Sequence, residues 1–118
     1  MHYQILNLKN GWPDADYCFY VGRSRAGKSP LGNPYQIGKD GDRREVIEKY
    51  RRWLWEEIKK GDDSPAYREL VWVADFYKCS TEQEPIKLLC WCAPQPCHAE
   101  VIIRAIEWLL KNEKTRNL

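Results

Sequence analysis

The stretch CWCAPQPCH, residues 90–98, gathers three of the chain's five cysteines and one of its two histidines. Thiols and an imidazole at this density offer three chemistries. Cys90, Cys92, Cys97 and His98 are the ligand types of tetrahedral zinc. Their spacing, C-x-C-x4-C-H, departs from the C-x2-C turn that aims two sulfurs at one ion, and strand residues at i and i+2 stand roughly 6.6 Å apart. A second reading makes the segment a helix start. Pro96 ends the preceding strand, so Cys97 and His98 meet the N–H groups of the helix's first turn, a position that favours a thiolate. His98 then serves as acid, base or ligand-orienting group, with Glu100 the candidate orienting carboxylate. The third reading is structural, with buried cysteines and a capping histidine, and it fits Cys90 best. The helix-start reading is the leading one. It requires no cofactor, and zinc belongs to the alternative.

A second chemical stretch is GRSRAGKS, residues 22–29, which satisfies the phosphate-loop pattern G-x-x-x-x-G-K-[ST] and follows the apolar run YCFYV. The pattern works because a helix begins at its Lys-Ser and points N–H groups and a positive dipole at phosphate. Here Pro30 follows Ser29, and Gly32, Asn33 and Pro34 come at once, so no helix can propagate. The companion magnesium motif would be LVWVAD, residues 70–75, which is equally a buried helix face. A nucleotide hydrolase is therefore the least favoured reading. The glycines still allow an anion-binding nest, with Arg23, Arg25 and Lys28 supplying charge. Lys28, essential to the pattern, is expected to be dispensable.

The elements that must position these residues follow from periodicity. Residues 3–8 and 17–21 read as strands, and 22–41 as one long loop holding five of the seven glycines, of a length that is more often functional than idle. Asp42 and Glu45 form a capping pair for a helix carrying Val46, Ile47, Tyr50, Trp53, Leu54 and Ile58 at helical spacing, ended by Gly61. Ser64-Pro65 starts a second helix, with Tyr67, Leu70, Val71, Ala74 and Phe76 or Tyr77 inward. Residues 86–92 form a strand, and a last helix runs from about Cys97 to Asn112. The order predicts a small single-domain α/β fold over residues 1–118, a mostly parallel sheet of three to four strands packed by three helices. Ligands in open sheets of this kind sit beyond the carboxyl ends of the strands. Those ends carry Gly22-Arg23 and the 92–98 segment.

Composition bounds the function. The 118 residues are 43% hydrophobic and 31% charged, a globular balance. A net charge of +2 does not indicate nucleic acid, although nucleic acid stays among the conceivable partners. Arg43/Arg44 and Arg51/Arg52 have acidic neighbours and read as solvated helix faces. Six tryptophans and seven tyrosines read first as packing. No apolar run approaches a membrane span and no leader pattern is present, so a cytoplasmic location is expected, with Cys18 and Cys79 as inert packing thiols.

The combination of GR at 22–23, LGNPY at 31–35, IGKDGDRREVIEKYRRWL at 37–54 and CWCAPQPCHAEVI at 90–102 resembles the domain-of-unknown-function family 4326. That resemblance implies a small domain of bacteria and their phages, with no reaction attached. Carried over by position, it nominates Gly22, Arg23, Gly32, Asn33, Pro34, Asp42 or Arg43, Cys90, Cys92, Pro94, Cys97 and His98, and leaves RAGKS in a variable part. A second uncharacterised family, 488, is similar in its strand-LLC and a later CHR at a helix start; Ala99 stands here in place of that arginine.

The expectation is a nucleotide- or phosphometabolite-binding α/β domain, with group transfer or hydrolysis if it is an enzyme. Gly22, Arg23, Gly32, Asn33 and Arg43 would bind a small phosphorylated or nucleotide-like ligand, and Cys97 and His98 would supply the reactive groups. The alternative is a small zinc-stabilised adaptor or nucleic-acid accessory module. The sequence specifies neither a substrate nor an oligomeric state.

Overall fold

The computed structural model describes residues 1–24, 27–91 and 97–116; at residues 10, 23, 24, 27, 28 and 113–116 it describes the backbone alone. Three strands form a parallel sheet. The central strand β5 (Ile86–Cys90) lies between β1 (Tyr3–Asn7) and β2 (Cys18–Tyr20). In register, Ile5 and Phe19 flank Leu88, and Leu6 and Tyr20 flank Leu89. The strands are shorter than the apolar runs that announced them. Cys92, read as strand, lies outside the described residues, as does Pro94.

Side chains alternate across the pleat. Ile86, Leu88 and Cys90 share one core with Phe19, Val21 and the inward faces of three helices, so the helices cover one side of the sheet. On the other side Leu89 is fully buried between Leu6 and Tyr20. The architecture is the expected small α/β fold, a parallel sheet packed by three helices. Among the described residues no helix is long and apolar enough to cross a membrane.

Helix α1 (Arg43–Lys60) begins where the sequence places it. Asp42 accepts from the Glu45 N–H at 2.9 Å, and Glu45 accepts from the Asp42 N–H at 3.2 Å, a reciprocal capping box. Gly41 makes this start possible. Its φ is +133°, and a Cβ there would stand 2.8 Å from the Glu45 Cβ. Helix α2 (Pro65–Lys78) starts with Pro65 at its first turn and the Ser64 hydroxyl accepting from the Tyr67 N–H. Its buried face is Ala66, Leu70, Val73, Ala74 and Tyr77. That corrects the expected face: Val73 points inward where Val71 was chosen, and Tyr77 where Phe76 was an option. Helix α3 (His98–Arg116) is longer than its apolar pattern, and buries Ala99, Ile102, Ile103 and Ile106.

The stretch read as one long loop contains a hairpin. β3 (Arg23–Ser24) pairs antiparallel with β4 (Gly27–Lys28), and the Ser29 N–H donates to the Gly22 carbonyl at 3.1 Å, closing it. No helix follows Lys28; the next one begins at Arg43. LVWVAD lies within helix α2, with Asp75 exposed. Neither half of the phosphate-loop pattern has the backbone that gives it its physics. Cys79 corrects a further expectation. It caps the C-terminus of α2 and is exposed rather than packed, whereas Cys18 is half-buried and donates to the Ala15 carbonyl at 3.4 Å.

Tyr77 links α2 to α3, its hydroxyl donating to Glu107 at 3.1 Å. Burial, and then the Glu107 hydrogen bond, push its pKa up to about 12. The unfolded chain releases this proton near the ordinary tyrosine value of about 10, before the folded chain does. The resulting stabilisation is complete below pH 10 and declines as pH rises from 10 through 12. Denaturant midpoints measured across that window should fall with pH, and Tyr77→Phe should flatten the decline.

Candidate functional site

A cleft of about 350 Å³ opens beyond the carboxyl ends of β2 and β5, against the first turns of α1 and α3. Gly22 lies two residues beyond β2, Trp91 follows β5, Arg43 opens α1, and Cys97-His98 stand at the start of α3; all of them line it. Asn33, from the loop before α1, completes the wall. A larger cavity, about 510 Å³, lies between Tyr17 and the end of α2. It is lined by Cys79 with Asp75 and Glu84, and its described lining holds no imidazole or guanidinium. The smaller cleft therefore carries the richer chemistry.

Both ring nitrogens of His98 have a partner in the cleft. Its Nε2 bonds to the Val21 carbonyl across 77 residues of sequence. A carbonyl only accepts, so Nε2 carries a proton. In the neutral ring the other nitrogen, Nδ1, then bears a lone pair, and it faces the Cys97 Sγ at 3.5 Å. The backbone thus chooses the tautomer that presents a base to the thiol. The sequence suggested a carboxylate, Glu100, for this orienting role. Glu100 is exposed, and the partner of Nε2 is the Val21 carbonyl instead.

Tyr50 of α1 supports the imidazole from a third direction. The two rings meet edge to face, with centroids 5.0 Å apart. The Tyr50 hydroxyl donates to the Leu31 carbonyl at 2.7 Å, deep in the core. Burial, and then the nearness of Cys97, raise its pKa well above the ordinary value. Tyr50 therefore stays a neutral donor.

Asn33 works as a clasp. Its Oδ1 accepts from the Tyr35 N–H at 2.9 Å, and its Nδ2 donates to the Val46 carbonyl at 3.3 Å, fastening the LGNPY loop to α1. Gly32 lies outside the cleft wall; it is buried, and its N–H donates to the Ser29 carbonyl at 2.8 Å in the turn behind the wall. Arg43 lines the cleft, while Arg51 and Arg52 pair with Glu48 on the outer face of α1. The Arg23 side chain lies outside the described residues. Of the zinc alternative, Cys90 is fully buried on β5, and among the described residues no group of three His, Cys, Asp or Glu side chains converges on a metal position.

Two contributors escaped the sequence. Val21 acts through its backbone, which no side-chain motif can announce. Trp91 fell inside the strand read over residues 86–92; it stands just past the end of β5, on the cleft. Its place inside the C-W-C triplet was the available signal.

The family model described as "Domain of unknown function (DUF4326)" matches residues 6–108. No curated protein and no solved structure matches the chain.

Tyr50→Phe keeps the ring against His98 but leaves the Leu31 carbonyl buried without its donor. Urea unfolding should register a loss of about 1–3 kcal/mol, the penalty for one orphaned buried acceptor.

Proposed function

Because the chain belongs to the DUF4326 family, whose description assigns no activity, we propose a function from the site itself: binding of a nucleotide or other phosphorylated metabolite, and group transfer or hydrolysis on it by Cys97. The observation that carries the proposal is the Cys97–His98 pair, 3.5 Å apart, with the outer imidazole nitrogen tied to Val21. A nucleophile, a base and a group that orients the base are the three parts of thiol catalysis. Here the orienting part is a backbone carbonyl.

In the proposed reaction the Sγ–H proton passes to Nδ1. The thiolate forms a bond to an electrophilic carbon or phosphorus of the ligand. The departing group leaves with the bonding electron pair and takes the proton back from Nδ1–H. Water then breaks the thio-linked intermediate in hydrolysis; a second nucleophile breaks it in transfer. The first turn of α3 favours the anionic sulfur, and Arg43 supplies the positive charge that a phosphate would meet on the same wall. Cys97 is only 2% exposed. Its sulfur is therefore addressed through the cleft rather than from open solvent.

Alkylation by iodoacetamide, followed site by site with peptide mass spectrometry, tests this reading. Cys90 is buried at least as deeply and serves as the internal control. Cys97 should react near neutral pH while Cys90 does not. His98→Asn should slow Cys97 by about tenfold or more. A nucleoside monophosphate should protect it, with protection lost in Arg43→Ala and retained in Lys28→Ala. Equal inertness of Cys97 and Cys90, unaffected by His98→Asn, would refute the proposal.

A further inference from the structure

The cleft wall includes large exposed apolar side chains beside Arg43. Two of the largest exposed hydrophobic side chains, Trp91 at 54% and Ile37 at 52% exposed, both line it. A lone exposed tryptophan needs no explanation. Trp91 differs because both of its ends are held.

Its carbonyl accepts from the Asn7 side chain at 3.3 Å, on the neighbouring strand β1. Its indole N–H donates to the Tyr20 hydroxyl at 3.2 Å, on the opposite neighbour β2. Tyr20 is flanked in turn by Trp12, with ring centroids 6.5 Å apart. Gly22 leaves room for the arrangement: a Cβ at that position would stand 3.1 Å from the Tyr20 hydroxyl oxygen and 3.2 Å from a ring carbon, tight enough to press the tyrosine ring aside by a few tenths of an ångström. The indole thus has its polar edge satisfied and its position set, while much of its surface stays in water. That is a preset stacking face, and a ligand that uses it forfeits little side-chain entropy.

Resting on the anion-binding reading above, the geometry points to a mononucleotide whose base stacks on Trp91 while its phosphate meets Arg43 at the helix-start side of the same cleft. The base would be read by its π-face and by the apolar side chain of Ile37, a recognition that tolerates purines and pyrimidines alike. The volume of about 350 Å³ lies at the small end of ligand sites, roughly 300–1,000 Å³, and suits one nucleotide better than a dinucleotide.

Equilibrium titrations with adenosine 5′-monophosphate, uridine 5′-monophosphate and ribose 5-phosphate separate this inference from the reading on which it rests. Both nucleotides should bind at least about tenfold more tightly than ribose 5-phosphate, the gain expected of one stacked base. Trp91→Ala should erase that advantage and leave ribose 5-phosphate binding unchanged, and Trp91→Phe should restore part of it. The indole's fluorescence, isolated as the difference between the parent and Trp91→Phe, should be quenched by the nucleotides only. If ribose 5-phosphate binds as tightly as the nucleotides, or Trp91→Ala weakens all three equally, the stacking site is rejected and anion binding survives. If none of the three binds, both are rejected.

Discussion

The hydrogen bond between His98 Nε2 and the Val21 carbonyl joins the start of the last helix to the end of an early strand. Much else follows from it. It sets the imidazole's proton on the outer nitrogen, and so points a lone pair at Cys97. It also determines where α3 begins relative to the sheet, because the bonded residue is the helix's first. The edge contact with Tyr50 continues this chain of support into α1, and the Tyr50 hydroxyl carries it to Leu31 in the loop that Asn33 clasps. One imidazole thereby ties together β2, α1, α3 and the LGNPY loop. A change at any of the four would be felt at the sulfur.

The sheet topology explains why these pieces meet. All three strands run the same way, so their carboxyl ends form one rim. Gly22 and Trp91 lie on that rim because they stand two residues and one residue beyond the ends of β2 and β5. Helices α1 and α3 start beside it and turn their positive ends toward the cleft they share. The apolar and the charged halves of the wall come from different elements. The strand ends and the loop give Trp91 and Ile37; the helix starts give Arg43, Cys97 and His98.

Much of this was legible in the sequence where local physics decides. The capping pair Asp42/Glu45 and the Ser64-Pro65 start are short-range devices, and both helices begin where they announce it. The chain order of elements was sufficient for a small, mostly parallel α/β sheet. Reading failed where the decision was not local. The 22–29 stretch hides a hairpin because an antiparallel pair of two residues leaves no hydrophobic alternation to detect. The inward face of α2 was misjudged because Tyr67, Leu70, Val71 and Ala74 also recur at helical spacing, next to the face of Ala66, Leu70, Val73, Ala74 and Tyr77 that is buried. Asn33 was nominated from its motif, but its clasp between the LGNPY loop and α1 depends on partners at Tyr35 and Val46 that the motif does not name. The Val21 carbonyl had no signature at all, since every residue but proline offers the same donor and acceptor to a distant partner.

The strand order bears on how the chain comes to be folded during synthesis. The strand that occupies the middle of the sheet, β5, is the last of the five to be made. Until the ribosome has released residues 86–90, β1 and β2 have no neighbour to pair with, since neither bonds the other. The emerging chain holds two unpaired strands and two helices with exposed apolar stripes, the kind of surface that recruits chaperones or stray strands. Closure of the sheet must wait for contacts more than sixty residues apart, a separation that slows folding. Assembly of the rim and its cleft is then among the final events. A product truncated before β5 would carry every helix-capping signal of α1 and α2 and still have no site.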